Sequence, residues 1–271
     1  MNMNKEIIKS KNGNIPTLTN DSKSKKALIY FHGLDGSAGF SRPLFKNLEE
    51  YKVVAIESRG HMISEIKASR FIYKHLEDYL AVINHYKKLG YKIWILGESM
   101  GAAYATMLAY QTEGLVEGIL VQSIPNKLEN IMVASKWTQF KIQFMTTVSF
   151  MTNINYKYKA SVNYKLLSSN RTLHRLARMA DESKVRQVRE TLATWAVTKR
   201  AWRKLKKASP KTPLFYFQPE DHVVVNIDKV KKVFENKRKN LELILIKDAK
   251  HILMYEKQFD VVLKKIKKIM G

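Results

Sequence analysis

Cysteine is absent from the 271 residues of this sequence. The absence excludes a disulfide framework and any metal site built on thiolates, and it suits a reducing compartment. Long apolar runs are absent too, because residues 1–20 mix lysines with asparagines and no later stretch approaches the length of a membrane span. We therefore expect a cytoplasmic protein, with any membrane contact peripheral and at the inner face.

Acidic residues are scarce: 24 Asp and Glu stand against 48 Lys and Arg, which gives a formal net charge of +24. A charge of this size bears on partners and solubility rather than on the fold. Nucleic acid, an anionic membrane face and an acidic carrier protein are the candidate partners. A general lysine bias of the genome is the remaining explanation.

Short apolar runs alternate with helical patterns along most of the chain. Each run has the continuous apolar character of a strand buried on both faces of a parallel sheet. The rhythm predicts an α/β fold with a mostly parallel central sheet flanked by helices, and residues 5–18 predict a hairpin at its edge. The predicted sheet strands are residues 27–31, 52–56, 92–96, 118–122, 214–217 and 241–246.

Residues 126–212 break this rhythm, because they contain no strand-like run. Apolar and aromatic residues recur there at helical spacing, first over 137–151 and again over 185–195, which predicts two amphipathic helices. We predict that 126–212 form a helical lid inserted into a core domain made of residues 1–125 and 213–271.

The predicted lid is also the most basic part of the chain. It holds 19 Lys and Arg against 4 Asp and Glu, a net +15, in under a third of the residues. A uniform compositional bias does not concentrate charge in this way. The lid therefore either meets an anionic partner or presents solvated outer faces of its helices, as charge runs at helical spacing commonly do.

The segment Gly97-Glu98-Ser99-Met100-Gly101 follows the apolar run 92–96 and precedes an alanine-rich helical stretch. A serine between two glycines at a strand-to-helix junction is typical of a sharp turn that exposes the serine hydroxyl. The glycines fit a chain that bends hard and passes close to its neighbours. This pattern predicts that Ser99 is a nucleophile, although the same five residues also occur by chance in ordinary turns.

A glycine-rich loop, residues 32–39, follows the predicted strand 27–31. Such a loop either cradles a phosphate or stabilises an oxyanion. The spacing of a nucleotide-binding motif is not present, so we favour an oxyanion loop, with Leu34 placed to offer a backbone N–H. We interpret His32 as structural, anchoring the loop by a hydrogen bond.

Attack by a serine requires a base to take its proton and an acid to orient that base. Ser99, Asp221 and His251 each lie just beyond a different predicted strand. The carboxyl ends of parallel strands share one edge of a sheet, so we expect these three side chains to converge. Their order along the chain, Ser, Asp, His, is the order used by hydrolases on this type of scaffold.

Together these residues resemble the α/β-hydrolase fold of serine hydrolases, and more closely its monoacylglycerol lipase and lysophospholipase branch. The resemblance implies Ser99 as nucleophile, Asp221 as orienting acid and His251 as base. It also implies an oxyanion hole formed by the backbone N–H groups of Leu34 and Met100, with no cofactor and no metal. The residues that carry it are the segment 97–101, His32-Gly33, residues 57–61, Asp221 before Val224, and His251 with Glu256 behind it.

The sequence departs from this family at three loop positions: Glu57 stands where Asp is usual, Met62 where Gly is usual, and Pro219 where Gly is frequent. These changes concern loop geometry rather than the predicted triad. Two further acids compete with Asp221. Asp248 is too close in sequence to His251 to approach it from a neighbouring strand, and Glu220 points away if Asp221 points inward.

The preferred hypothesis is hydrolysis of a small-molecule ester such as a monoacylglycerol or lysophospholipid. A second is thioesterase or acyltransferase chemistry on an acidic carrier protein, and a third is a lipid-binding protein that keeps the fold without catalysis. We expect no nucleic-acid partner, because the basic residues lie on the insertion rather than on a stacking sheet face. The residues that bind the substrate are not predicted by any pattern in the chain.

Overall fold

The computed structural model of the protein describes residues 3–126, 132–133, 136–152, 154–158, 161–171, 173–174, 186–220, 224–236 and 238–271. Its strands are β1 (Asn4–Ser10), β2 (Gly13–Thr19), β3 (Lys26–Phe31), β4 (Lys52–Ile56), β5 (Lys92–Glu98), β6 (Gly118–Gln122), β7 (Met132–Val133), β8 (Lys157–Tyr158), β9 (Ser161–Val162), β10 (Arg186–Gln187), β11 (Leu214–Pro219) and β12 (Leu241–Ile246). Its helices are α1 (Arg42–Asn47), α2 (Ile72–Lys88), α3 (Met100–Gln111), α4 (Lys136–Thr152), α5 (Tyr164–Leu167), α6 (Val188–Lys207), α7 (Ile227–Glu235) and α8 (Phe259–Met270).

Within these ranges eight strands form one sheet in the order β1-β2-β4-β3-β5-β6-β11-β12. The hairpin strand β2 pairs antiparallel with β1 and with β4, as predicted for an edge hairpin. From β4 to β12 every neighbouring pair is parallel. This arrangement confirms the predicted α/β fold and brings the carboxyl ends of β3, β5, β6, β11 and β12 to one edge.

The central strands β3, β4, β5 and β6 are mainly apolar and buried because both faces of the sheet are covered there. In β3, Leu28 and Tyr30 pack against α1 and α8, whereas Ala27, Ile29 and Phe31 pack against the side formed by α2, α3, α6 and α7. All five side chains are fully buried. Burial of each large apolar side chain contributes roughly 2 kcal/mol, so these two layers hold the edge that carries the site.

Residues 126–212 differ from the prediction in two respects. The described part contains short strands, since β7 pairs with β9 and β8 pairs with β10 over two residues each. Each ladder joins segments that are distant in sequence, and its two-residue strands are too short to form an apolar run that would predict them. The prediction that this segment lacks strands is therefore wrong. The helix α4 confirms the first predicted helix, and α6 confirms the second from Val188 onward, because Arg186–Gln187 form β10.

The apolar faces of the two helices also lie elsewhere than their spacing suggests. On α4, Trp137, Phe140 and Phe144 are 64, 57 and 62% exposed. Trp195 of α6 is exposed as well, and α6 buries Val197 and Leu205 against the main core. The last helix of the predicted lid packs with α3, while the domain boundary at 212 stays a prediction.

None of the helices in the described residues has the length and apolar content required to cross a membrane.

Candidate active site

Ser99 lies at the junction between β5 and α3, at the carboxyl edge of the sheet. Its backbone has φ 54° and ψ −111°, in a region that residues with a side chain seldom occupy. The turn is held from both sides, because the Ser99 N–H donates to the Gln122 carbonyl at 2.9 Å and the Ser99 carbonyl accepts from Ala103 N–H at 3.2 Å. Strained serines of this kind cost about 1–3 kcal/mol and occur mainly at functional sites.

The glycines on either side of Ser99 permit this turn. A Cβ on Gly97 would lie 2.5 Å from the Gly101 carbonyl oxygen, and a Cβ on Gly101 would lie 2.1 Å from the carbonyl oxygen of Phe31. Neither contact is sterically possible without moving backbone. The sequence interpretation, that a β-carbon would clash at both positions, is confirmed.

The loop after β3 passes directly over Ser99, because β3 and β5 are neighbours in the sheet. A Cβ on Gly33 would lie 3.2 Å from Ser99 Cβ. The His32 side chain holds this loop: its Nδ1 lies 2.7 Å from the Gly33 carbonyl, and its Nε2 accepts from Ser58 N–H at 3.1 Å. With Nε2 as an acceptor the ring is neutral and Nδ1 donates, so His32 anchors the loop as predicted.

A cavity of about 70 Å³ opens beside Ser99 and also contacts His251. His251 follows β12 and is 6% exposed. The loop residue Leu34 lines the same cavity. Met100 is the first residue of α3, where backbone N–H groups have no acceptor within the helix. The structure thus brings Ser99, His251 and the glycine loop together around one space.

Asp221, the predicted orienting acid, lies outside the described residues. The two competing acids are described, and both Glu220 and Asp248 are exposed to solvent. Asp248 has φ 50° in the loop that leads to His251. Exposed carboxylates of this kind are poorly placed to orient a buried imidazole.

Glu98 is a site residue that the sequence interpretation missed. Its side chain lines the cavity beside Ser99, and Tyr30 OH donates to its Oε2 at 3.2 Å. Burial raises the pKa of Glu98 to about 7, and the hydrogen bond from Tyr30 opposes that rise. The signal was present in the sequence, since an acidic residue directly before Ser99 ends an otherwise apolar strand.

Polar contacts connect the insertion to the loops of the site. Arg186 of β10 pairs with Asp35 at 2.8 Å between Nε and Oδ2, and both side chains are largely buried. His61 pairs with Glu190 of α6, also in a buried position. Asp35 belongs to the loop that passes over Ser99, so the Arg186 pair joins the insertion directly to that loop.

A third connection involves Glu256, which the family resemblance placed behind His251. Its Oε1 accepts from Ser168 Oγ and from Ser169 N–H, both at 2.7 Å. The Ile252 N–H donates to the Leu167 carbonyl of α5 at 2.9 Å. The His251 loop is therefore bonded to the segment that begins at α5.

The chain matches the protein family described as serine aminopeptidase S33 (Hydrolase_4) over residues 22–258. A search of curated protein sequences finds no match. Several solved structures share the fold at low identity. A soluble variant of monoglyceride lipase from Saccharomyces cerevisiae, in complex with a substrate analog, has 13% identity and a TM-score of 0.81, covering 100% of this chain and 96% of that chain.

A monoacylglycerol lipase from Paleococcus ferrophilus has 15% identity and a TM-score of 0.72, covering 100% of this chain and 99% of that one. An esterase from Pyrococcus furiosus has 18% identity and a TM-score of 0.63, covering 100% and 92%. At such identities the structures establish the fold, and the family match extends over most of the chain. The chain belongs to the serine aminopeptidase S33 family of α/β hydrolases.

Proposed function

We propose that the protein is a serine carboxylic ester hydrolase that acts on lipid-like esters such as monoacylglycerols or lysophospholipids. The observation that carries the proposal is the strained turn at Ser99, which shares one cavity with His251 and lies under the Gly33-Leu34 loop. A nucleophile, a base and backbone donors around one space are the parts that acyl transfer requires.

In the proposed reaction His251 takes the proton of the Ser99 hydroxyl as its oxygen attacks the ester carbonyl. The backbone N–H groups of Leu34 and Met100 stabilise the oxyanion, at about 3 kcal/mol for each donor in comparable sites. His251 then gives its proton to the departing alcohol, and an acyl-Ser99 ester remains. Asp221 is proposed to hold the imidazole in the required tautomer.

The second half of the reaction uses water as the nucleophile. His251 takes a proton from water, the hydroxide adds to the acyl carbonyl, and the same donors stabilise the second tetrahedral intermediate. Collapse releases the carboxylic acid, and the proton returns to the Ser99 oxygen. The proposed reaction needs no cofactor and no metal.

The lining of the cavity supports an apolar acyl group. Its lining includes the apolar or aromatic side chains of Leu34, Phe40, Tyr164, Leu167 and Ile252. A volume of about 70 Å³ suffices for a short acyl segment only, since pockets for drug-sized ligands measure roughly 300–1,000 Å³. We infer that a long acyl chain enters by displacing α5, which contributes Tyr164 and Leu167.

The outer face of α4 supports a peripheral membrane contact. Trp137 stacks on Phe140 with ring centroids 5.7 Å apart, and Lys141 lies 5.3 Å from the centre of the Trp137 ring. Exposed aromatic residues beside lysines are typical of helices that lie in the interface of an anionic bilayer. We propose that the protein works at the cytoplasmic face of a membrane, where lipid esters are available.

A panel of substrates tests the proposed function. We expect hydrolysis of a p-nitrophenyl ester, a monoacylglycerol and a lysophospholipid, and no release of p-nitroaniline from an aminoacyl anilide. The Ser99→Ala variant is expected to lose at least about a thousandfold in turnover of every ester. Ester turnover that is unchanged in Ser99→Ala refutes Ser99 as the nucleophile, and no ester turnover by the unaltered protein leaves the lipid-binding alternative.

The second candidate is a thioesterase or acyltransferase that takes its acyl group from an acidic carrier protein. The net charge of +15 over residues 126–212 favours it, because such a surface attracts an acidic partner. Under this alternative an acyl group on the carrier turns over in a salt-sensitive manner, and free esters do not react. Turnover of free esters that is insensitive to salt excludes it.

A further inference from the structure

Two adjoining cavities lie on the face of the protein next to α2, away from Ser99. Their volumes are about 410 and 480 Å³, and both are lined by the segment from Glu65 to Ala68 and by Arg189. Among the described residues that line them, none also lines the cavity of Ser99. We call the two cavities together the basic groove, after its cationic lining residues Arg59, Lys67, Arg70, Lys74, Lys157 and Arg189.

The charges that face the groove are strongly unbalanced. Glu65 is the one acidic residue among its described lining residues. Behind the lining, Asp78 bonds Arg59 at 2.8 Å and Glu77 bonds Lys11 at 2.7 Å. Even after these pairs the described lining holds Lys67, Arg70, Lys74 and Lys157 against Glu65, which is an excess of positive charge. Cations gathered at one concave surface repel one another, so a bound anion lowers the free energy of the arrangement.

The base of the groove is held in place rather than solvated. Arg59 is 5% exposed, and its guanidinium donates to the Asp78 carboxylate and, at 3.0 Å, to the Lys74 carbonyl. Arg70 is fixed by donation to the carbonyls of Ser149 and Phe150 on α4. Arginines that are ordered in advance lose little entropy when they bind an oxyanion, because the planar fork matches its geometry.

We propose that the basic groove is a binding site for a phosphate-bearing anion. Phosphate fits the lining because it presents several acceptor oxygens to both arginine forks and lysine ammonium groups. The phosphate has two possible sources, a soluble phosphate monoester or the head group of an anionic phospholipid. Two apolar side chains that line the groove are exposed, as a lipid source requires: Met62 and Phe71.

The test compares two double variants that each remove two positive charges, one at the groove and one at the opposite end of the neighbouring helix α2. Lys67→Gln with Lys74→Gln alters the groove, and Lys87→Gln with Lys88→Gln alters the far end of α2. In one arm, calorimetry measures binding of inorganic phosphate and of glycerol phosphate at low ionic strength. In the other, flotation measures binding to phosphatidylcholine vesicles with about a quarter phosphatidylglycerol, and to phosphatidylcholine alone.

We expect the unaltered protein and the α2-end variant to bind, and the groove variant to bind at least about tenfold more weakly, since charge-assisted hydrogen bonds are lost. Binding of inorganic phosphate or glycerol phosphate assigns a soluble ligand, and binding of the anionic vesicles alone assigns a lipid head group. Equal losses in both variants overturn the proposal, because they show general charge attraction. Absence of binding by the unaltered protein in both arms overturns it as well.

Two further measurements keep the result interpretable. Thermal unfolding of each variant verifies that it is folded, which we expect because Lys67 is exposed and the Lys74 side chain is half-exposed. Turnover of a soluble short ester, measured on the same preparations, is expected to be the same in all of them. The groove proposal thus stands or falls separately from the proposed hydrolysis.

Discussion

The turn at Ser99 and the insertion above it are held by different kinds of interaction. Around Ser99 backbone meets backbone, with Gly101 against the Phe31 carbonyl and Gly33 against Ser99 itself. The insertion is joined to the same loops by polar side chains, as in the Arg186–Asp35 and His61–Glu190 pairs. Close packing tolerates no extra atom, whereas contacts made by long polar side chains leave room for the partners to shift. We therefore propose that the turn and its neighbouring strands, the rigid region, place Ser99, and that the insertion, the adjustable region, controls access to it.

The largest effect is expected from an added methyl group in the rigid region. In Gly101→Ala the new Cβ would lie 2.1 Å from the Phe31 carbonyl oxygen, so α3 must move away from β3. We expect a loss of more than about 5 kcal/mol, which is enough to unfold a domain of ordinary stability. Circular dichroism and chemical denaturation measure it.

The matched control for this variant is Gly39→Ala, because the nearest atom to its new Cβ is Ser37 Oγ at 3.5 Å. That is ordinary contact, and the expected change is within about 1 kcal/mol. If Gly101→Ala is as stable as Gly39→Ala, the close approach of α3 to β3 is not what fixes the turn.

The next effect tests the adjustable region. Arg186→Gln removes the ion pair between two largely buried side chains, those of Arg186 and Asp35, and breaking such a pair costs about 4 kcal/mol. Because Asp35 lies in the loop over Ser99, we also expect kcat for a short ester to fall about tenfold with KM little changed. Denaturation and steady-state kinetics measure the two effects.

Lys11→Gln is the control, since it removes a pair in which the lysine side chain is 70% exposed. Exposed pairs contribute at most about 1 kcal/mol, and this one is remote from the site. Adding Asp35→Asn to Arg186→Gln removes the largely buried carboxylate as well and is expected to recover part of the stability. Equal effects of Arg186→Gln and Lys11→Gln would show that the Arg186 pair does not position the loop.

The buried carboxyl of Glu98 makes the stability of the rigid region depend on pH. In the folded protein the Glu98 carboxyl keeps its proton up to about pH 7, because its pKa is raised to about 7, whereas in the unfolded chain it loses the proton near the ordinary pKa of 4.5. Between these values the folded state binds more protons, so stability falls as pH rises through this window and is constant above it. Glu98→Gln removes this pH dependence of stability. The free energy of unfolding of the variant, relative to that of the unaltered protein, is expected to rise by about 3 kcal/mol from below pH 4.5 to above pH 7.

Denaturant titrations at the two ends of this window measure the difference. Turnover is expected to change in the same sense, because an ionised carboxylate beside Ser99 opposes the negative charge of the oxyanion. Glu98→Gln should therefore retain activity above pH 7 better than the unaltered protein does. An unchanged pH profile would mean that the Glu98 side chain does not titrate beside the reacting groups.

The smallest effect on stability is expected on the outer face of α4. Trp137→Ser with Phe144→Ser alters side chains that are already exposed, so unfolding should change by about 0.5 kcal/mol or less. Hydrolysis of a monoacylglycerol in vesicles should fall, whereas a soluble short ester should react at the original rate. Equal rates on both substrates would contradict the membrane role of α4.

The same division between the two regions limits what the sequence predicts. The turn at Ser99 and the strands beside it follow from local patterns, since continuous apolar runs and glycine spacing reflect contacts that every such sheet requires. His32 was assigned correctly for the same reason, because a polar side chain at a buried strand end needs a local partner.

The insertion follows from contacts that local patterns do not encode. Residue spacing predicts that α4 and α6 are helices, but the side on which each is buried depends on its neighbours. Trp137 and Trp195 belong to the apolar repeats that predict these helices, and both side chains are exposed. Arg186 and Asp35 are separated by 151 residues, and no periodicity connects them. The volume of the cavity likewise depends on where α5 lies.

The most direct test of the account is labelling by a fluorophosphonate, which reacts with serines activated as nucleophiles. We predict that mass spectrometry locates one label on the peptide that contains Ser99. Ser99→Ala should abolish the labelling, and His251→Ala should slow it by about a thousandfold or more. Labelling that persists at the original rate in Ser99→Ala, or that is indifferent to His251, would contradict the assignment of this pair as the reacting centre.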